Sequence, residues 1–282
     1  MQIWILTDSR CLRQRMPRAL TGCLAGRGSH RLRVVIADDG SQVSVLGPGS
    51  HERSVWAGLE REDLVIVRSR HSFALALLEE AESLGARTVI SSAAIRRVRD
   101  KVRTLLTLEE LGLPTPETFL ACRPEDLVRL RPPFPLLLKP LQGDNGDGIR
   151  LVRTSRELAD VEWTEPVVLA QRYVDSDGVD VKLYVAGERI WAVRRPSPLT
   201  GGDGAPTQMS VAAALARLAR ECADAFDLPL LGIDVVRGAE GPVIVDVDEF
   251  PNYTGIEEAP EVIGRLLLAC TLEQPAAVGS HA

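Results

Sequence analysis

The chain has 282 residues, 45% hydrophobic and 26% charged, with a formal net charge of −6. This composition excludes a disordered or fibrous chain and leaves room for two or three compact lobes. The acidic balance argues against nucleic acid as a partner, and no apolar run approaches the ~18 residues of a membrane helix, so no membrane partner is expected.

From the N-terminus, the short apolar runs "QIWILT", "LRVVIA", "DLVIV" and "ARTVI" alternate with segments such as "FALALLEEAESLG". That alternation predicts βαβ units and a small open sheet over the first 95 residues or so. The first turn, "TDSRCLRQR", lacks the GxGxxG fingerprint of a dinucleotide site. Arg10, Arg13, Arg15, Arg18, Arg27, Arg31 and Arg33 crowd this region. They read either as a solvated helix face or as a patch for an acidic small molecule. "VRSRHS", Arg68 to Ser72 with its flanks, is a candidate for lining a substrate pocket.

A helical pattern runs through "SSAAIRRVRDKVRTLLTLEELGLPTPET" and stops at Gly112, with Pro114 and Pro116 beyond it. A strand, a short helix and a strand over 135–140 follow, then a glycine-rich loop and a return strand over 148–153. "PVVLAQRYV" predicts another strand, and "VDVKLYVAG" with "ERIWAVRRPS" a hairpin turning at Gly187. After the polar stretch "PSPLTGGDGAPTQ" comes an alanine-rich helix over about 208–226. A second hairpin, "LLGIDVVRG" and "PVIVDVDEF", and a helix near 257–270 complete the pattern, and the last dozen residues read as a tail.

Five cysteines form no CxxC pair, and no charged segment followed by an apolar one opens the sequence, so a reducing cytoplasm without disulfides is expected. The four histidines lie too far apart for ligand spacing.

In "PLLLKPLQGDNGDGIRLV", Lys139 precedes the glycines, whereas a Walker A lysine follows them and opens a helix. A strand–loop–strand of this kind makes a flap in which Gly143, Gly146 and Gly148 allow backbone N–H groups close to phosphate. An ordinary hairpin turn has the same look. Lysine usage sharpens the reading: of 33 basic residues only Lys101, Lys139 and Lys182 are lysine. Each lies where a compact ammonium could reach a phosphate chain.

Asp246 and Asp248 stand two apart on one strand and so share a face, opposite to Val247 and Glu249. Asp234 lies on the partner strand. Three convergent carboxylates repel one another without a cation, and magnesium, a hard ion that bridges phosphates, is their natural partner. The bland alternative is a strand end facing solvent.

These ordered motifs resemble the ATP-grasp superfamily from about residue 60 to 270. The fold so implied is α/β (α+β): an N-terminal open-sheet lobe (1–97), a central lobe with the flap (98–170), a C-terminal lobe with the metal site (171–271) and a tail (272–282), the two later lobes sandwiching ATP. The resemblance gives Lys101 and Lys139 to the nucleotide phosphates, with Gly143, Gly146 and Gly148 in the flap. Gln171, Tyr173, Val174 and Asp180 fall on its adenine and ribose segment, and Asp234, Asp246 and Asp248 on its magnesium strands, manganese being an alternative ion.

Two branches compete. Ribosomal-protein glutamate ligases and glutathione synthetases share the RDK linker and join a carboxylate to an amine through an acyl phosphate. The inositol trisphosphate kinases resemble "VKLYVAGERIWAVRRPS" and "DVDEFPNYTG", which places Lys182, Arg195 and Ser197 around phosphates and substrate. The third metal position, usually asparagine, is Asp248 here. Where those kinases carry a flap histidine this chain has "GDNGDG", which favours a ligase. Arg195 and Arg194 would then steady the acyl phosphate, with Lys182 beside them. The substrates implied are a small carboxylate and an amine, such as an amino acid or peptide, and family habit suggests a homodimer. A non-catalytic nucleotide-binding module is the remaining alternative.

Overall fold

The structure, a computed structural model, describes residues 1–25, 30–46, 54–141, 146, 148–197, 199 and 204–272. It divides into two compact units, one of Met1–Ile95, Ala186–Arg189 and the segment from Phe250 onward, the other of Arg96–Val185 and Ile190–Glu249.

The first unit begins with β1 (Gln2–Thr7), α1 (Ser9–Leu12), α2 (Arg15–Ala25), β2 (Arg31–Ile36), β3 (Leu64–Arg68), α3 (Ser72–Ser83) and β4 (Arg87–Thr88). The strands form a parallel sheet in the order β2-β1-β3-β4, as the βαβ pattern predicts. "ARTVI" contributes only two residues to it, and the Val89 N–H still reaches the Val65 carbonyl at 3.4 Å.

The run "QIWILT" is apolar almost throughout because β1 is an inner strand, covered on both faces. Trp4 meets Trp56 edge-on with ring centroids 5.2 Å apart. Each buried indole N–H finds an acceptor, Trp4 on Asp63 and Trp56 on the Leu77 carbonyl.

The chain leaves β1 on one side to make β2 and returns on the other to make β3. The C-terminal ends of β1 and β3 therefore flank the point where strand order reverses, where open α/β sheets form ligand crevices. Asp8 fastens these ends. Its carboxylate caps α1 through the Cys11 N–H at 2.6 Å and accepts from Ser69 Oγ at 2.7 Å and the Arg70 N–H at 2.9 Å. Burial alone would raise this carboxyl, but the donors prevail and hold it at about 2.

The helical pattern after residue 91, where the chain passes from the first unit to the second at Arg96, is not one helix. It breaks at Asp100 into α4 (Ser92–Arg99) and α5 (Lys101–Glu110), because the Asp100 side chain caps α5 by accepting from the Val102 and Arg103 N–H groups. Helix α5 ends as predicted, with Gly112 in the left-handed region at φ 65°.

Next come β5 (Thr118–Ala121), a 3-10 helix (Pro124–Leu130), β6 (Leu136–Pro140), β7 (Arg150–Val152), α6 (Ser155–Asp160) and β8 (Val168–Arg172). These strands make an antiparallel sheet in the order β5-β8-β6-β7. Alternation gives it two characters. Leu136, Leu138, Val168 and Ala170 pack with Leu127, Val152 and Leu158 in an apolar core. Leu137, Lys139, Leu169 and Gln171 point the other way.

A five-stranded sheet follows, in the order β11-β10-β9-β12-β13, from β9 (Val179–Ala186), β10 (Arg189–Pro196), β11 (Thr207–Met209), β12 (Leu230–Gly238) and β13 (Gly241–Glu249). The predicted hairpins turn at Gly187 and after Gly238. The alanine-rich helix is shorter than the sequence suggests: α7 is Ala213–Phe226, and Thr207–Met209 instead pair along β10 as an edge strand. β-branched Thr207 and the polar Gln208 suit that exposed edge.

Helix α8 (Ala259–Leu272) packs against α2 in the first unit, and Arg87 donates to the Cys270 and Thr271 carbonyls at its C-terminal end. No described helix is long and apolar enough to cross a membrane.

Candidate active site

The predicted carboxylates converge in the second unit. Asp234 pairs in register with Asp246, and Gly232 with Asp248, so the three aspartates share a face of the β12–β13 hairpin. One oxygen from each lies within 4.8 Å of the others. The register slips between Asp234 and Val235, which leaves Val245 as an extra residue in β13. The Val245 carbonyl accepts from Lys139 Nζ at 3.2 Å.

All three lysines come to this cluster. Lys182, on β9, donates to Asp234 at 2.9 Å and to Asp248 at 2.7 Å. Burial alone would lower its pKa, but the two carboxylates more than reverse this and raise it. Lys101, the first residue of α5, stands 3.5 Å from Asp246. Lys139 is buried, and that burial lowers its pKa; the nearby Lys101 adds to the depression while Asp246 opposes it. Asp246 lies deep among protein atoms yet keeps 39% of its side-chain surface. That setting and the neighbouring Asp248 raise its pKa, while Lys101 opposes the shift.

The two arginines part. Arg195 donates to Asp234 at 2.7 Å. Arg194, one residue away on β10, is exposed and pairs across with Thr207, so the structure does not bring it to the cluster.

Asp180, two residues before Lys182 and on the same face of β9, lies beside Ser197 and Arg195. The Ser197 hydroxyl is hydrogen-bonded to it, burial raises its pKa, and its Oδ1 is buried without a partner. Gln171 donates to Thr118 Oγ1 at 3.2 Å and leaves its Oε1 buried without a partner. It lines a small cavity with Lys101, Lys139, Leu169, Val245 and Asp246. Tyr173 and Val174 follow the end of β8, the Tyr173 N–H bonding the Pro135 carbonyl at 2.9 Å.

Gly146 and Gly148 both take positive φ, and a Cβ on Gly148 would stand 3.2 Å from the Pro140 ring. Gly143 and most of the "GDNGDG" stretch lie outside the described residues, as does much of "PSPLTGGDGAPTQ".

Two contributors escape the sequence reading. The Val245 carbonyl depends on a bulge that no residue type announces. Arg99 clasps Glu249, which is 6% exposed, at 2.7 Å from behind the carboxylate strand. The alternation that puts Glu249 opposite Asp248 was the available signal for a partner there.

The donor set suits magnesium: three carboxylates offering hard oxygen ligands on one rigid hairpin, ringed by cations that can take phosphate. The cavity is walled mainly by apolar side chains, Leu105, Leu108, Leu169 and Ile244 among them, and the unpartnered Gln171 oxygen beside it suits a hydrogen-bond donor on an otherwise apolar group.

Comparison with known proteins agrees. The RimK-like ATP-grasp domain matches residues 98–263. A protein of Serratia proteamaculans (strain 568) named probable alpha-L-glutamate ligase is 30% identical over 229 residues, covering 74% of this chain and 76% of that one. Among solved structures, the RimK domain ATP-grasp protein of Sphaerobacter thermophilus DSM 20745 is similar in fold, with a TM-score of 0.70 at 21% identity over 95% of this chain and all of that one. The ATP-grasp ligase PsnB, solved with a minimal precursor, Mg and ADP, gives 0.71 at 18% identity over 96% and 98%. The chain thus belongs to the RimK-like ATP-grasp family, and with it is an ATP-dependent carboxylate–amine ligase that works with magnesium.

Proposed function

We propose that this ligase attaches L-glutamate, as the amine, to the carboxylate of a small acid or peptide, and that the residues gathered around Asp234, Asp246 and Asp248 form its catalytic centre. The observation that carries the residue assignment is the convergence of the chain's three lysines on three aspartates of one hairpin. The glutamate reading follows the name of the 30% identical relative.

Lys101 and Lys139 hold the phosphate chain of the nucleotide, Gly146 and Gly148 permit close approach of the backbone to it, and Gln171, Tyr173 and Val174 receive the adenine and ribose. Asp180 and Ser197 hold the edge of the same site. Asp234, Asp246 and Asp248 would hold magnesium, which would supply charge neutralisation at the transferring phosphate.

The substrate carboxylate attacks the γ-phosphorus, ADP departs and an acyl phosphate results. The amine then attacks its carbonyl carbon, phosphate leaves with the electrons of the broken C–O bond, and the nitrogen sheds a proton. Lys182 and Arg195 offset the negative charge that develops in both steps, so catalysis is largely positioning and charge neutralisation. The enzyme acts in the cytoplasm, as its free cysteines suit, and as a homodimer by family resemblance.

The test is ADP release with ATP, magnesium and pooled amino acids and small acids, with hydroxylamine as trap and hydroxamate read by mass spectrometry. ADP with hydroxamate is expected, and L-glutamate should replace hydroxylamine as the nucleophile. ADP formed only with polyols or inositol phosphates, and never with hydroxamate, would overturn the reading in favour of a kinase.

A further inference from the structure

Arg99, Asp100 and Lys101 stand where α4 breaks into α5, and each has a separate task. Asp100 caps α5, and Lys101 stands 3.5 Å from Asp246. Arg99 turns instead to Glu249, its Nε and Nη2 both donating to Oε1, at 2.9 and 2.7 Å. Glu249 ends β13 on the face opposite Asp246 and Asp248, and it is buried. Two N–H groups of one planar guanidinium on one buried oxygen fix direction as well as distance.

β13 is an edge strand of the five-stranded sheet, and the segment that carries α5 is tied to it at both ends. Arg99 makes one tie at Glu249. Past the far end of the helix, the Pro114 carbonyl accepts from the Ile244 N–H at 2.8 Å. The lengths agree: the ten residues of α5 rise about 15 Å, and the strand from Ile244 to Glu249 runs roughly 17 Å.

Between the ties, Thr104, Leu105 and Leu108 of α5 and Ile244 and Val245 of β13 wall the cavity that Lys101 and Lys139 border. The joint between the helices is stiff, because Thr104 Oγ1 donates to the Val98 carbonyl at 3.0 Å. A shift of Arg99 is therefore passed to Lys101, two residues on.

We infer that Arg99 and Glu249 are positioning residues, a clasp that holds Lys101 beside Asp246 so that the ammonium meets the phosphates of the nucleotide. The inference rests on the proposed assignment of Lys101 to those phosphates.

The test compares the full chain with Arg99→Met, with the paired change Arg99→Met and Glu249→Leu, with Lys101→Met, and with the paired change added to Lys101→Met. ADP is titrated in the presence of magnesium by calorimetry, beside thermal melting, and ADP release gives KM for ATP.

Arg99→Met, which takes the guanidinium from a buried carboxylate, should melt lower than the unaltered chain. The paired change removes both charges and should recover most of that loss. It should still bind ADP about tenfold more weakly, with KM for ATP rising in step, because stability returns without the clasp. Lys101→Met should weaken ADP binding about 30-fold. Adding the paired change to it should cost less than about a further twofold, since the lysine that the clasp holds is gone.

If the paired change binds ADP as the unaltered chain does, the ion pair serves stability alone and the inference fails. It fails equally if the paired change costs its full tenfold beside Lys101→Met, for the arginine would then act independently of the lysine. Failure of the underlying assignment reads differently: Lys101→Met by itself would bind ADP unchanged, and the inference would fall with it.

Discussion

The two sheets of the second unit treat their charges in opposite ways. On the five-stranded sheet, cations and carboxylates neutralise one another: Lys182 bridges Asp234 and Asp248, and Arg195 takes the other oxygen of Asp234. On the four-stranded sheet Lys139 is buried, and the one hydrogen-bond acceptor it meets among the described residues is the Val245 carbonyl. Its depressed pKa reflects that burial. A charge held among partners supports the fold; a charge held without a carboxylate partner in contact is kept for something that arrives.

The strongest way to break this contrast is Lys139→Met. Replacing a buried ammonium by a side chain of similar length should lower ADP formation by about a thousandfold, the upper end for removal of one electrostatic contact in an active site. The melting temperature should hold or rise, because the desolvation cost is gone. Unchanged ADP formation would sink the assignment of Lys139, and lost activity with a much lower melting temperature would make it structural.

Lys182→Met probes the opposite case. Removing the cation that Asp234 and Asp248 share should cost about 3 kcal/mol in urea unfolding without metal, as for other broken buried pairs. Magnesium should restore part of the loss, since the stranded carboxylates then have another cation. A loss that magnesium leaves untouched would speak against the three aspartates as its ligands.

Gly148→Ala tests the approach of the flap to β6. With φ at +77° and the Pro140 ring 3.2 Å from the added Cβ, the variant should lose about 1 kcal/mol of stability. A gain in stability would mean that this backbone is not held as described.

The smallest effect concerns Asp246, whose pKa is raised in the folded chain. A carboxyl raised on folding disfavours the folded state while ionised, and the penalty fades as pH falls through its folded pKa. Asp246→Asn, without metal, should therefore melt slightly above the unaltered chain at pH 7, with the gap closing towards acid pH. A variant that melts lower at pH 7 would show that the ion pair with Lys101 outweighs the burial.

Much of the centre was legible because its chemistry follows short-range rules. Period two puts Asp246 and Asp248 on one face wherever a strand forms, and the scarcity of lysine marks Lys101, Lys139 and Lys182 before any fold is known. The break at Asp100 was legible in principle too, since aspartate before a helical run is a cap, yet the uninterrupted apolar spacing on either side concealed it. Arg194 and Arg195 were beyond reach: both phases of alternation suit "WAVRRPS", and only pairing with β9 and β11 decides which arginine meets Asp234.

The sequence by itself thus determined the family, most of the elements and the kinds of group available to phosphate and metal, because these depend on residue type and on periods of two and 3.6. Tertiary structure alone decided the register that sets Asp234 against Asp246, the bulge that turns the Val245 carbonyl to Lys139, and the pairing of Thr7 with Arg68. Those depend on contacts between residues from 12 to 106 positions apart, and a one-residue shift in any strand would have sent each side chain to the other face.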